Sequence, residues 1–195
     1  YILISSSMFF IGFLDDLQIK IKPLKRLLAM VFLLFIFIFF LPIKISNIDI
    51  PFLKILMNNH LFSSIFVLLC FLFVINGANL IDGFNGLLAI NLILINVILA
   101  YINMNNENLE FVVLLISQII ILLSFLLFNF PNAKIFLGDS GAYLFGALTS
   151  LNTIITNNLN PKISSFFFCT LLFYLFFEVF LSFFRKIQKG KSPIY

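Results

Sequence analysis

Residues 61–102 read LFSSIFVLLCFLFVINGANLIDGFNGLLAINLILINVILAYI. An apolar run, Leu61 to Ile75, leads into N-G-A-N-L-I-D-G-F-N-G-L at Asn76–Leu87. A second apolar run, Leu87 to Ile102, follows at once. Polar side chains at the end of such a run are costly, because lipid offers nothing to hydrogen-bond them. Here Asn76, Asn79, Asp82 and Asn85 recur every three residues, with Gly77 and Gly83 between them and Gly86 directly after. On a helix, positions three apart drift by about 60° per step, so four in a row do not share one face. The stretch therefore predicts a helix end with a tight Asp82-Gly83 turn lining a polar cavity. A plain re-entrant turn is the alternative, since Asp-Gly is a common turn pair.

The composition sets the fold class. Of 195 residues, 62% are hydrophobic and 10% charged, and mean hydropathy is +1.16. A soluble domain of this size has no use for so much apolar surface, so the chain reads as an all-α, polytopic integral membrane protein. The 29 phenylalanines and the absence of tryptophan read as coding bias. Cys70 and Cys169 lie inside apolar runs and read as small buried hydrophobes, neither a disulfide nor a metal pair.

Seven apolar stretches predict about seven transmembrane helices: 1–14, 27–43, 61–75, 87–102, 111–128, 143–155 and 163–184. Several fall short of the ~20 residues that a span requires, so flanking polar residues must belong to the same helices. No repeat or linker divides the chain, so residues 1–195 are expected to form one transmembrane domain. Tyr1 stands inside an apolar run with neither an initiator Met nor a signal-peptide layout, and the basic tail stops abruptly. Truncation at both ends, and inactivity of the chain alone, are the expectations.

Lysine and arginine set the expected orientation. One side collects nine of them: Lys20, Lys22, Lys25, Arg26, Lys134, Arg185, Lys186, Lys189 and Lys191. The other has three, Lys44, Lys54 and Lys162. The first side is expected to be cytoplasmic. Asp15, Asp16, Asp82, Asp139 and Glu178 then fall at cytoplasmic helix ends, and Asp49, Glu107 and Glu110 lie outside. The long outer connection, Lys44–His60, has room for a short hairpin or an interfacial helix. His60, the single histidine, reads as a solvated loop residue.

Four clusters carry the chemistry. In F-F-I-G-F-L-D-D-L-Q-I-K, Phe9–Lys20, adjacent carboxylates repel unless a cation is near. A divalent ion suits such hard oxygen donors, and an acidic helix end balanced by Lys20, Lys22, Lys25 and Arg26 is the plain alternative. The second cluster is the opening stretch, Asn76–Leu87. In the third, Asn129–Gly146, Gly138 and Gly141 bracket Asp139 where a span begins. Asp139 there caps the helix, holds a metal or faces a nucleotide phosphate. Nearby, Lys134 suits phosphate and Phe136 suits base stacking. The fourth cluster, Phe177–Pro193, sets Glu178 two turns before Arg185 on one helix face. Its basic residues are equally suited to lipid headgroups and to substrate phosphate.

In order, G-F-L-D-D at Gly12–Asp16, N-x-x-N-L-I-D-G-F-N-G-L at Asn76–Leu87, N-A-K-I-F-L-G-D-S-G at Asn132–Gly141 and R-K-x-x-K-G-K-S-P at Arg185–Pro193 resemble the polyprenyl-phosphate N-acetylhexosamine 1-phosphate transferases, the MraY/WecA-type family. The resemblance implies a Mg²⁺-dependent phosphoglycosyl transferase (Mn²⁺ is an alternative ion). Such an enzyme moves a sugar 1-phosphate from a UDP-sugar to polyprenyl (undecaprenyl) phosphate and releases UMP. It implies a multi-pass protein of the bacterial inner membrane with its site on the cytoplasmic face. The membrane is its partner, a homodimer is compatible with it, and no nucleic acid is involved. By motif, Asp15, Asp16 and Asp82 resemble catalytic residues, and Asp139 and Asp16 metal ligands. Asn79, Asn85, Asn129, Lys134, Phe136, Arg185 and Lys186 resemble substrate-binding residues, with Phe136 as the uracil-stacking aromatic.

Three departures refine the resemblance. Many members have D-G-x-D-G, and here the second acid is Asn85. The lysine found three residues after the acid pair in the phospho-N-acetylmuramoyl-pentapeptide transferases of peptidoglycan synthesis is Ile19. That change, and Glu178, favour the N-acetylhexosamine branch that initiates lipopolysaccharide O-antigen; the muramoyl-pentapeptide branch is the alternative. The family's His-containing loop is expected after Pro193. The rival classes are an ion-coupled transporter, which places its acids at mid-membrane, and a non-catalytic scaffold.

Overall fold

The computed structural model describes residues 1–17, 22–41, 43–46, 48–104 and 108–190. Ile19, Lys20, Glu107, Lys191 and Pro193 lie outside the described residues. Among those described, the chain is helical without strands. It runs α1 (Ile2–Asp16), α2 (Pro23–Phe40), α3 (Pro51–Met57), α4 (His60–Ile81), α5 (Leu87–Met104), α6 (Leu109–Asn129), α7 (Gly138–Leu159), α8 (Ser165–Leu171) and α9 (Phe173–Gln188).

Helices cover most of each apolar stretch, but the expected count of about seven spans is not confirmed. Among the described residues four helices are long and apolar enough to cross a membrane: α2, α4, α5 and α6. A fifth span is reached if α8 and α9, bent by 57°, are taken as one. The last apolar stretch is thus two helices rather than one. α1 has 15 residues, short of a span. α7 has 22, but Thr149, Ser150, Asn152, Thr153, Thr156 and Asn157 interrupt its apolar surface.

α4 and α7 cross at the centre and divide two cores. Val67, Phe71 and Ile75 of α4 meet Tyr143, Ala147 and Leu151 of α7, together with Ile4 and Met8 of α1 and Met30 and Leu34 of α2. Val74, Ala78 and Ile81 of α4 face the other side with Ala142 and Phe145 of α7, Leu88 and Leu92 of α5, Leu115 and Leu122 of α6 and Leu175 of α9.

The polar row of α7 is buried among its neighbours. Asn152 Nδ2 donates to Gln118 Oε1 at 2.8 Å and to Asn96 Oδ1 at 3.2 Å. Its own Oδ1 accepts from the Tyr1 hydroxyl at 2.9 Å. Asn103 Nδ2 reaches Thr156 Oγ1 at 3.0 Å. These are neutral amides and hydroxyls bonded to one another between helices, the arrangement that holds transmembrane helices together. The row contains no carboxylate, which separates it from a transporter's ion path.

The long connection holds the short helix expected of it, α3. His60 is not in the loop. It is the first residue of α4, with its ring edge-on to Phe39 at 4.7 Å. The preceding Asn59 caps the helix, its Oδ1 accepting from Leu61 N–H at 3.0 Å and Phe62 N–H at 3.2 Å. Both cysteines are free, Cys70 half-buried and Cys169 exposed, so Cys169 is less enclosed than the sequence predicts.

Candidate active site

The N-terminus of α7 organises the site. A helix leaves its first N–H groups unpaired, and α7 has no side-chain cap of its own. Two acids from other helices supply one. Asp82, just past the end of α4, accepts from Gly138 N–H at 3.1 Å. Asp16, the last residue of α1, accepts from Asp139 N–H at 3.0 Å and Ser140 N–H at 2.9 Å. Negative charge is favoured there by the helix dipole as well as by the hydrogen bonds. Gly138 permits the approach. Its φ is +69°, and a Cβ would stand 2.9 Å from Asp16 Oδ2.

The Asp82–Gly86 segment is the expected turn between α4 and α5. Asp82 itself is 8% exposed. Burial pushes its carboxyl up to about 6, against the lowering effect of the Gly138 and Leu137 N–H groups.

A cation bridges the remaining acids. The Arg26 guanidinium, from the first turn of α2, binds both Asp15 Oδ2 and Asp139 Oδ2 and lies 5.5 Å from the centre of the Tyr143 ring. The Tyr143 hydroxyl donates to Asp139 at 3.5 Å and accepts from Asn79 Nδ2 at 3.3 Å. Asp15, Asp16, Asp82 and Asp139 thus meet at one helix end. Glu178 is instead paired with Arg185 on α9, the partner its spacing predicts.

Lys134 and Phe136, the residues expected to meet a nucleotide, sit on a loop anchored by Asn129. Its buried side chain accepts from Gly86 N–H and donates to Ile135 O at 2.6 Å. Asn85 Nδ2 adds a bond to Pro131 O at 2.9 Å. Both asparagines therefore tie the 129–137 loop to the 82–86 turn. The same loop leaves Lys134 and Phe136 exposed, Phe136 by 53%. Arg185 and Lys186 occupy the last turn of α9.

The sequence offers Arg26 as one of four basic residues balancing the acidic end of α1, as it does for Asp15, but gives no sign of its contact with Asp139 or of Tyr143. Arg26 lies eleven residues from Asp15 with no local spacing to join them. Its place one turn after Asp139 is the one signal that could have found Tyr143.

A sequence model of glycosyl transferase family 4 matches residues 1–157. The chain belongs to that family. The match takes in every acid gathered at α7 and stops before Glu178 and the basic tail. Over 154 residues this family-4 chain is 33% identical to a phospho-N-acetylmuramoyl-pentapeptide-transferase of Clostridium perfringens (strain 13 / Type A), covering 75% of the chain and 49% of the relative. Over 153 residues it is 32% identical to the protein of that name from Streptococcus thermophilus (strain CNRZ 1066), covering 74% and 44%. A shorter stretch of 80 residues is 41% identical to the one from Leuconostoc citreum (strain KM20), covering 41% and 25%. The chain spans about half the length of the first two of these curated relatives.

Proposed function

We propose that this family-4 chain transfers a sugar 1-phosphate from a UDP-sugar to polyprenyl phosphate, releasing UMP, with phospho-N-acetylmuramoyl-pentapeptide as the transferred group. One observation carries the chemistry: Asp15 and Asp139 already share a cation at the N-terminus of α7, beside a buried Asp82. The names of the similar proteins carry the choice of group, over the N-acetylhexosamine reading that Ile19 and Glu178 favour.

The donor chemistry fits Mg²⁺. All four acids offer hard oxygens, and the Arg26 guanidinium occupies the position of a positive charge between Asp15 and Asp139. Among the described residues no three acids close around a single ion. Mg²⁺ usually takes one or two carboxylates and completes its shell with water and substrate phosphate. Asp139 and Asp15 are the pair placed to hold it. Asp16, a metal ligand by resemblance, is turned toward the α7 amides. When bound, the ion would screen the two reacting phosphates and stabilise charge on the leaving one.

The chain's own groups perform the rest. Asp82, held near 6, matches the second pKa of a phosphate monoester, about 6. Its carboxylate can take the acceptor's proton with little energy change. Arg26 swings between carboxylate and phosphate as a charge-assisted donor. Phe136 stacks on the base, and Lys134 meets the diphosphate as a point charge.

The test, run on a protein as long as the relatives that the chain half spans, offers UDP-N-acetylmuramoyl-pentapeptide and UDP-N-acetylglucosamine in turn, with undecaprenyl phosphate and Mg²⁺, and measures UMP. Release with the first donor alone is expected. Release with the second alone would move the chain to the other branch, and release with neither would sink the transferase reading. The site's orientation is tested by single cysteines at Ser46 and Gln188. They should label from opposite sides of the bacterial plasma membrane, with Gln188 cytoplasmic, because the nine-to-three split of basic residues sets that orientation.

A further inference from the structure

The end of the bundle remote from the carboxylates is also built as a site. α4 separates the two: it runs 22 residues from His60 to Ile81, about 33 Å. At the His60 end, residues 43–46 and 48–50 are strapped across α7 and α8. Asn158 Nδ2 donates to Lys44 O at 2.7 Å, and Asn158 Oδ1 accepts from Ser46 N–H at 2.9 Å. Asp49 Oδ2 accepts from Ser165 N–H at 2.8 Å.

Two cavities lie side by side at the strap. One, of about 520 Å³, is lined by Lys44, Lys54, His60, Ser63 and Ser64. Among the described residues no carboxylate lines it, and neither lysine has an ion-pair partner. The other, of about 140 Å³, is almost wholly apolar and includes Phe66, Val74, Ile154 and Phe168. Ile45 and Ile48 wall both.

A cationic pocket that shares a wall with an apolar slot, at the end of a spanning helix, has the polarity of an amphiphile. We propose that it binds an anionic phospholipid, with the phosphate at Lys44, Lys54 and His60 and part of an acyl chain in the slot behind Ile45 and Ile48. Two unpaired lysines sharing one pocket repel each other until an anion joins them, and lysines at a membrane surface draw anionic headgroups. The slot has the right scale, since an apolar cavity of about 150 Å³ admits a benzene-sized group, equivalent to a few methylenes. A phosphate with no chain would leave that half unused. The site shares no residue with the carboxylate cluster and stands independently of the transferase reading.

The test is native mass spectrometry of the 195-residue chain in neutral detergent, titrated with phosphatidylglycerol, phosphatidylcholine and soluble glycerol 3-phosphate. Phosphatidylglycerol should be retained in preference to both others. Lys44→Gln with Lys54→Gln should weaken phosphatidylglycerol binding by roughly thirtyfold and leave phosphatidylcholine binding unchanged. Both lysines are exposed, so folding survives the change. Cys70→Phe, which fills the slot from α4, should weaken phosphatidylglycerol binding with both charges in place. Equal retention of the two lipids, or full retention by the lysine variant, would overturn the proposal. Glycerol 3-phosphate competing as well as phosphatidylglycerol, or full binding by Cys70→Phe, would reduce the site to a phosphate pocket and overturn its lipid half.

Discussion

Gly12 of α1 lies so close to Asp139 of α7 that a Cβ on Gly12 would stand 2.4 Å from the Asp139 carbonyl carbon. The obstacle is backbone, not a side chain that can turn away. This contact brings Asp15 and Asp16, one turn further along α1, to the end of α7. Gly12→Ala must push the two helices apart. Overpacking of this kind costs about 1–3 kcal/mol. We expect a lower melting temperature and, because Asp16 leaves its two amides, a disproportionate loss of UMP release. A variant as stable and active as the parent would show that the helices part without consequence.

Arg26 is the second point of leverage. Its side chain and those of Asp15 and Asp139 are each 30% exposed or less, so removing the guanidinium leaves two carboxylates facing each other with little water between them. Arg26→Gln should destabilise by about 2 kcal/mol, the scale of a hydrogen bond to a charged group. Millimolar Mg²⁺ should then raise the variant's melting temperature more than the parent's, by binding where the guanidinium was. An equal response from both proteins would remove Asp15 and Asp139 as an ion site.

Much of this was legible because each motif is a short run with fixed order. Gly12–Asp16, Asn76–Leu87 and Asn132–Gly141 named four acids that do meet, and the Asp82 turn between two apolar runs lies where its residues place it. What was hidden depends on contacts between distant residues. Asp16 caps a helix that begins over a hundred residues later, and nothing in α1 announces that. The polar row of α7 was hidden by averaging, since Asn152 and Thr153 sit inside a stretch drawn as apolar. The bend at Leu172 has no sequence marker, because no proline or glycine lies between Ile163 and Phe184.

Asp49 gives a pH-dependent prediction at the opposite end. Its carboxylate accepts from Ser164 Oγ at 2.5 Å as well as from the Ser165 N–H. Those bonds, Ser164 first, hold its carboxyl below the usual range. A depressed folded pKa means that the bond contributes stability above the unfolded value of about 4 and loses it as pH falls through the lower folded value. Amide exchange at Ser165 should therefore be flat from neutral pH down to about pH 5 once corrected for intrinsic rates, then rise in acid. Asp49→Asn should abolish the rise. A rise near neutral pH would assign it to another group.

Asn85 and Asp139 separate the two jobs that polar residues perform here. Asn85 stands where the sequence resemblance leads one to expect an acid, yet its amide donates to Pro131 O and helps hold the loop that bears Lys134 and Phe136. Asn85→Asp would turn that donor into an acceptor facing a carbonyl, at a cost of about 1 kcal/mol in an exposed position, and should raise KM for the UDP-sugar more than it lowers kcat. Asp139→Asn leaves the loop untouched but removes one of the two charges that share Arg26. Loss of a single well-placed electrostatic contact lowers kcat by about 10² to 10³, and added Mg²⁺ should not restore it. Turnover measured across a Mg²⁺ series for both variants decides the matter. If Asp139→Asn keeps its kcat while Asn85→Asp loses its own, the chemistry lies on the 82–86 turn, and the α7 terminus only holds the helices in register.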